Sequence, residues 1–374
     1  MSKLNIRRLT NENEDGAPSV SGIATFSSTA FLVPPSGTTA QRPEYVQPGM
    51  IRFNTDGAHL EYYNGVEWTE VLVANNTLDG GNRGVFAGGE TPSGNTNVIE
   101  YVTISTLGNA LDFGDLLSTK VSYNSALSSN TRGVWCGSYG PYSNVIEYVT
   151  ISSPGNALDF GDLLIAKSHI ASCASSTRGL IGGGYGPTAV NTNVIEYITI
   201  SSIGNSVDFG DLTSPTRIAA SFSSSTRGIW AGGENDLDGR TNVICFVTIA
   251  TTGNAQDFGD LTQRTAQPSG SSNSTRGLIV GGQDISSVNT NVISYITLAT
   301  TGNAQDFGDL TVARYGLGSC SSSIRTLISA GGSPAASNTI DYVTIATTGN
   351  AFDFGDLTVA RTNCAACSNG HGGL

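Results

Sequence analysis

The chain has 374 residues, 13% of them charged, with 47 glycines and a formal net charge of −12. That acidity disfavours nonspecific nucleic-acid binding through counterion release, and no run of eighteen apolar residues exists to cross a bilayer as a helix. The length fits one large domain plus a smaller segment, and abundant Gly, Ser, Thr and Asn favour short strands and tight turns over helices.

The first predicted element is an arm, residues 1–33. Its opening, MSKLNIRRLTNENEDG, has basic residues with no apolar stretch behind them, so no secretory signal is expected. The arm stays polar until GIATFSSTAFLV, which reads as a short strand in need of a partner. Residues 34–75 follow as a small β-meander, with strands MIRF, HLEYY and WTEVLV separated by NTDG and NG turns.

Residues 76–374 form a repeat array. The pentapeptide DFGDL occurs six times, with its phenylalanine at Phe113, Phe160, Phe209, Phe258, Phe307 and Phe354, at spacings of 47, 49, 49, 49 and 47 residues. Asp-Phe-Gly holds magnesium in protein kinases, but a kinase needs one such triplet together with a glycine-rich loop and an HRD-type catalytic loop. Neither accompanies it, so the motif is architecture. Ahead of each copy an arginine (Arg83, Arg132, Arg178, Arg227, Arg276 and Arg325) opens an apolar run that ends in glycine, as in RGVFAGG. Then come NVIEYVTI or a relative, a TTGN-type turn, DFGDL, and a segment of alternating small and apolar residues. Each unit therefore holds four strands and no stretch with helical periodicity.

Within DFGDL, Phe is expected to wedge between sheets, Gly to permit a tight bend, the aspartates to cap turn amides and Leu to seal the core. The first unit lacks its leading strand and the last segment lacks the rest of its unit, so residues 358–369 are expected to pair with the strand near Arg83–Gly88 and close the array.

Six cysteines invite a metal or disulfide reading. Yet Cys173, Cys320 and Cys367 share one repeat position with Leu127, Phe222 and Ser271, which marks a packing slot. Cys364 and Cys367 have no second CxxC to complete a zinc site. His59, His169 and His371 are isolated from one another. The acid spacing matches no EF-hand or calcium nonapeptide, and 12 of the 30 acids are the repeated DFGDL aspartates, which argues against a unique carboxylate pair. No cofactor, metal or enzymatic activity is expected.

Four antiparallel strands repeated six times, with glycines after the second, describe an all-β, six-bladed β-propeller of four-stranded blades closed by a C-terminal strand. The pattern resembles the Kelch-type propeller in its Arg, its Gly-Gly doublet, its third-strand aromatic (Tyr101, Tyr148, Tyr197, Phe246, Tyr295, Tyr342) and its fourth-strand aromatic. It departs in using Phe instead of Trp, twelve residues after that third-strand aromatic. The resemblance implies that the strand after DFGDL is innermost. One cation stands shortly after each DFGDL: Lys120, Lys167, Arg217, Arg264, Arg314 and Arg361. Under that arrangement they surround one mouth of a central channel, either as a basic ring for anionic ligands or neutralised by the DFGDL aspartates. The same mouth would carry the loops between second and third strands, where length varies: 14, 12, 15, 15, 15 and 13 residues from Arg to Asn.

The segments PPSGTTAQRP, GMIRFNTD and LEYYNGVEW look like parts of tail-fibre and other virion proteins of tailed bacteriophages, and NIRRLTNENEDGAPSVSGIATFSS resembles structural proteins of phages that infect marine cyanobacteria. The resemblance covers about the first 75 residues. It implies a virion component, a homo-oligomer (a trimer being one form), whose arm is anchored to other virion proteins. The propeller would project outward and bind a host-surface glycan or receptor, with no nucleic-acid partner and no membrane insertion. The alternative is a purely structural head-decoration or tail-assembly part, with the propeller as spacer or docking platform.

Overall fold

The computed structural model describes residues 34–57, 59–71, 82–120 and 125–374, and the chain divides into two compact units, Met1–Asn75 and Asn76–Leu374. The arm expected over residues 1–33 lies outside the described residues.

In the first unit, Ile51–Asn54, His59–Tyr63 and Trp68–Glu70 form the expected meander, and Ser36–Gly37 adds a parallel edge strand to it. Strand alternation puts Arg52 and Asn54 on the buried face, with Ile51 and Phe53 on the exposed one. The buried face is organised by Glu61, which binds Arg42 at 2.5 Å and Asn54 at 3.2 Å, with Arg52 at 3.6 Å. The Arg42 hydrogen bond holds the Glu61 carboxyl below its ordinary range.

The second unit is built from six antiparallel sheets, with each path running from an inner to an outer strand. Sheet 3 is typical: Ala171–Ala174, Arg178–Gly182, Val194–Thr199 and Val207–Asp211. Sheet 2 (from Ala126–Ser128 to Leu158–Lys167), sheet 4 (from Ala220–Ser223 to Gln256–Asp260) and sheet 5 (from Ser269–Ser272 to Gln305–Asp309) repeat it. Sheet 6, from Gly318–Ser321 to Phe352–Arg361, gains the extra two-residue strand Gly332–Ser333. Sheet 1 joins the two ends of the unit: Ala365–Ser368 pairs with Arg83–Ala87, Ala365 opposite Ala87 and Ser368 opposite Gly84. Val98–Thr103 and Leu111–Asp115 complete it. Of the segment expected to return to sheet 1, residues 358–361 instead extend the outer strand of sheet 6. The inner strands of consecutive sheets lie against one another, and that of sheet 1 touches those of both sheet 2 and sheet 6.

Each apolar cluster spans two neighbouring sheets. Phe113 of sheet 1 packs with Trp135, Val149 and Ile151 of sheet 2, and Phe354 of sheet 6 with Phe86, Val102 and Ile104 of sheet 1. All six DFGDL phenylalanines are buried, each in edge contact with the third-strand aromatic of its own sheet, as in Tyr101–Phe113 at 5.8 Å. The repeat arginines lie over those third-strand rings, Arg276 4.4 Å from the centroid of Tyr295. Each then donates across to a carbonyl at the end of the third strand in the next sheet, from Arg83 to Ile151 at 2.9 Å round to Arg325 to Ile104 at 3.2 Å.

DFGDL works chiefly through its backbone. Phe160 O accepts from Gly204 N at 2.8 Å, Asp162 O from Ser206 N at 2.9 Å, and Asp162 N donates to Asn205 Oδ1 at 3.0 Å. The same three bonds recur between every pair of neighbours, ending with Phe354, Asp356 and the Gly108–Asn109–Ala110 turn. The aspartates therefore do not cap turn amides as expected. Among the described residues their carboxylates accept no hydrogen bond, and the neighbouring asparagine caps the second aspartate's amide instead. Gly161 sits at φ +147°, where a Cβ would stand 2.5 Å from Gly204 O. The cysteine slot is also explained, since Cys173, Cys320 and Cys367 press on Gly228, Gly84 and Gly133 of the following sheet. All six thiols are buried and free.

Two alanine substitutions separate these effects. Gly204→Ala should cost about 2 kcal/mol through its positive φ alone, since nothing lies within 4 Å of its Cβ position. Gly161→Ala should cost roughly twice as much, because it adds a backbone clash. Equal shifts in chemical denaturation would refute the close approach.

Candidate binding face

The six cations do not form one ring. Lys120, Lys167, Arg314 and Arg361 are buried, and each is ion-paired with an acid on the third strand of the following sheet: Glu147, Glu196 (2.8 Å), Asp341 (2.5 Å) and Glu100. The same acids accept backbone amides just after DFGDL, Leu117 at 2.6 Å, Leu164 at 2.9 Å and Thr358 at 2.7 Å. These pairs stitch sheet to sheet, and the partners are not the DFGDL aspartates. Burial pushes the Asp341 carboxyl upward against the opposing pull of Arg314.

Where the third-strand acid is missing, the cation is released. Sheet 4 carries Cys245 at that position and sheet 5 carries Ser294. Arg264, which would face Ser294, is exposed and makes no ion pair among the described residues. Arg217 instead stacks 4.7 Å from the centroid of Tyr185 and pairs with Glu234 at 2.9 Å. Thr216–Arg217 also forms a short strand with Glu234–Asn235, itself hairpinned to Gly239–Arg240.

Around Arg217 lies an aromatic cluster that, among the described residues, no other repeat contains. Tyr139 and Tyr142, on the loop between the second and third strands of sheet 2, meet edge to face at 5.8 Å. Tyr139 reaches His169 at 5.2 Å, and Tyr142 reaches Tyr185 of sheet 3 at 6.2 Å. A two-way backbone bridge between Ser168 and Tyr185 (2.9 and 2.8 Å) fixes the two segments, with His169 at φ +58° and its Nδ1 2.6 Å from Ser168 Oγ. Burial, with Arg217 nearby, lowers the His169 pKa to about 4, so its ring is neutral at neutral pH. Its neutral packing is favoured above about pH 6.5 and weakens as pH falls towards 4.

Polar contacts extend the face into sheet 5. Arg240 bonds Glu234 at 3.5 Å, Gln283 at 3.2 Å and Ser287 at 3.1 Å. The loop tips bear exposed apolar groups: Tyr139 at 44%, Leu237 at 90%, and Val190, Ile285 and Val288. The sequence ring thus contributes one member, Arg217, to this face. The aromatic residues went unpredicted, although their signal was present as tyrosines on the loops of variable length. A scan against protein-family models finds no match to the chain, and a search of curated proteins finds none either.

Lys167→Ala should destabilise the protein by about 3–5 kcal/mol, because it strands a buried carboxylate. Lys167→Met combined with Glu196→Gln should recover most of that loss, while Arg264→Gln should stay within about 0.5 kcal/mol. Denaturant unfolding of the set tests this, and a harmless Lys167→Ala would show the pair to be solvated.

Proposed function

We propose that residues 76–374 form a six-bladed, Kelch-like β-propeller within a tailed-bacteriophage virion protein, which binds a host-surface glycan through its loop face. The cyclic pairing of Ala365–Ser368 with Arg83–Ala87 and the unbroken circuit of inter-sheet arginine bonds support the propeller. The likeness of the first 75 residues to phage structural proteins supports the virion assignment and an anchoring role for residues 1–33. The outward Ile51, Phe53 and Tyr62 give the small unit an apolar face for other virion proteins or for copies of itself.

One observation carries the binding reading: the Tyr139–Tyr142–Tyr185–His169 cluster is unrepeated among the described residues, and its three tyrosines sit on the loops that vary. Tyrosine rings offer apolar faces with polar rims, matching the C–H faces and hydroxyl edges of pyranose sugars. In this reading the protein binds without cleaving, needs no cofactor, and leaves host polysaccharide intact. The alternative, a head-decoration or tail-assembly part with the propeller as spacer, is favoured by the near-identity of the scaffold repeats.

Adsorption to host cells and glycan-array binding by residues 76–374 test the proposal. The double variant Tyr139→Ala, Tyr142→Ala should lose at least about tenfold in binding, as truncated aromatic anchors do, with little change in melting temperature. Wild-type adsorption by that variant would remove the site, and binding only to particles that lack the protein would favour the spacer.

A further inference from the structure

The inner strands carry a circuit of side-chain bonds with one gap. Ser128, Ser223, Ser272, Ser321 and Ser368 occupy one repeat position, and each hydroxyl donates to the carbonyl of the preceding inner strand. The distances are 2.8 Å for Ser128 to Ser368, 2.6 Å for Ser223 to Ala174, and 2.7 Å for both Ser272 to Ser223 and Ser321 to Ser272. Ser368 to Ser321, at 2.5 Å, completes the five. The sixth position is Ala174, which has no hydroxyl to give to Ser128 O. His371 supplies that bond, with its Nε2 2.9 Å from Ser128 O.

Residues 369–374 are shaped for the place they occupy. Arg83 N donates to Asn369 Oδ1 at 2.8 Å, and Gly372 N to Ser272 O at 2.9 Å. A Cβ on Gly372 would meet Asn273 O at 2.1 Å, and one on Gly373 would meet Ala174 O at 1.9 Å, so neither position admits a side chain. The segment runs from the closing strand of sheet 1 to inner strands on the other sheets. His371 borders a cavity of about 50 Å³ lined mainly by serine, cysteine and alanine of the inner strands, roomy and polar enough for a few waters.

We propose that residues 369–374 are a pH-sensitive plug in the space between the inner strands, seated while His371 is neutral and withdrawn when it is protonated. The bonding fixes the tautomer, because Nε2–H donates to Ser128 O while Nδ1 accepts Gly373 N–H at 3.1 Å. A proton on Nδ1 would face an N–H and bury a charge without a counter-ion. The titratable groups on the cavity wall are Cys173, Cys320 and Cys367, all thiols that burial holds protonated, the first and last at about 12. The inner strands of sheets 2, 4 and 5 offer only Ser, Ala, Gly, Leu and Phe there, and the Arg83 guanidinium is held over Tyr101.

Burial lowers the His371 pKa, so the withdrawn segment binds protons that the seated one does not. Seating is therefore fully favoured above the free imidazole value near 6.5 and weakens by up to about tenfold per pH unit below it. Withdrawal would bare the serine-carbonyl circuit and untie the closing strand from the opposite sheets.

Hydrogen exchange on the full chain tests the plug, read as protection factors for Gly372 and Gly373. Protection should fall by up to about thirtyfold between pH 7.5 and 5.0. In His371→Gln, whose amide can still donate to Ser128 O but does not titrate, it should stay constant. A wild-type segment indifferent to pH, or one whose loss matches that of the variant, overturns the proposal. Should the variant segment fail to seat at any pH, the wild-type His371 ring titration decides. An apparent pKa below about 6.5 that tracks the loss of protection supports the plug, and one at or above it refutes the plug.

Discussion

The repeat unit depends on one close approach, the backbone of each DFGDL glycine against the carbonyl of the turn glycine in the next sheet. At all six contacts, from Gly114 with Gly155 round to Gly355 with Gly108, a Cβ would lie 2.5 Å or less from that oxygen. Only there can the flanking amides of the Gly-Asn-Ala turn reach the Phe and Asp carbonyls. Each repeat carries both halves of this clasp, its turn gripping the sheet before and its DFGDL gripped by the sheet after. The turn glycine and the DFGDL glycine stand six residues apart in every repeat, as Gly204 and Gly210 do in sheet 3, so that spacing cannot drift without breaking a contact on either side. This fixes the last part of the constant stretch from the third-strand asparagine to DFGDL, while the loop ahead of that asparagine varies.

Exceptions within the array show which side chains respond to one another. The sixth copy has Thr326 where the others have glycine after the repeat arginine, and the residue that packs there is the small Ser271, bonded to Thr326 Oγ1 at 3.0 Å. Phe222, by contrast, meets Gly277, where a Cβ would lie 2.1 Å from its ring. Ala174 lacks the hydroxyl of its five equivalents, and His371 makes up the bond. In both cases a change on one element is met by a change on another far off in sequence, as expected where buried donors and volumes must balance.

The sequence made the strands, the period and the closing segment legible, because periodicity and glycine placement follow from backbone geometry. Partner identities were less so. Lys120 has DFGDL aspartates close by in sequence, yet its partner is Glu147, brought near only when the second sheet packs on the first. A buried acid inside the apolar run NVIEY carries no local mark of its role, since Glu100, Glu147 and Glu196 occupy the same position as Cys245 and Ser294. The aromatic cluster was hidden for a different reason. Its residues come from three separate segments, at 139–142, 169 and 185, and none belongs to the repeat.

Loss of the buried acid and gain of the loop face occur in adjoining places. Sheets 1, 2, 3 and 6 keep a third-strand acid, and the cation that faces it is drawn inward, where desolvation is offset by pairing and amide bonds. Sheets 4 and 5 replace the acid with Cys245 and Ser294, groups that need no counter-charge when buried. The arginine ahead of sheet 4 is then free to turn to the rim, where Glu234 and the Tyr185 ring receive it. A backbone-made clasp makes such exchanges tolerable, because neighbouring sheets stay joined when a side-chain pair is given up. Two small substitutions in the framework thus coincide with the stretch, from sheet 2 to sheet 5, where aromatic, charged and apolar loop groups converge on one face.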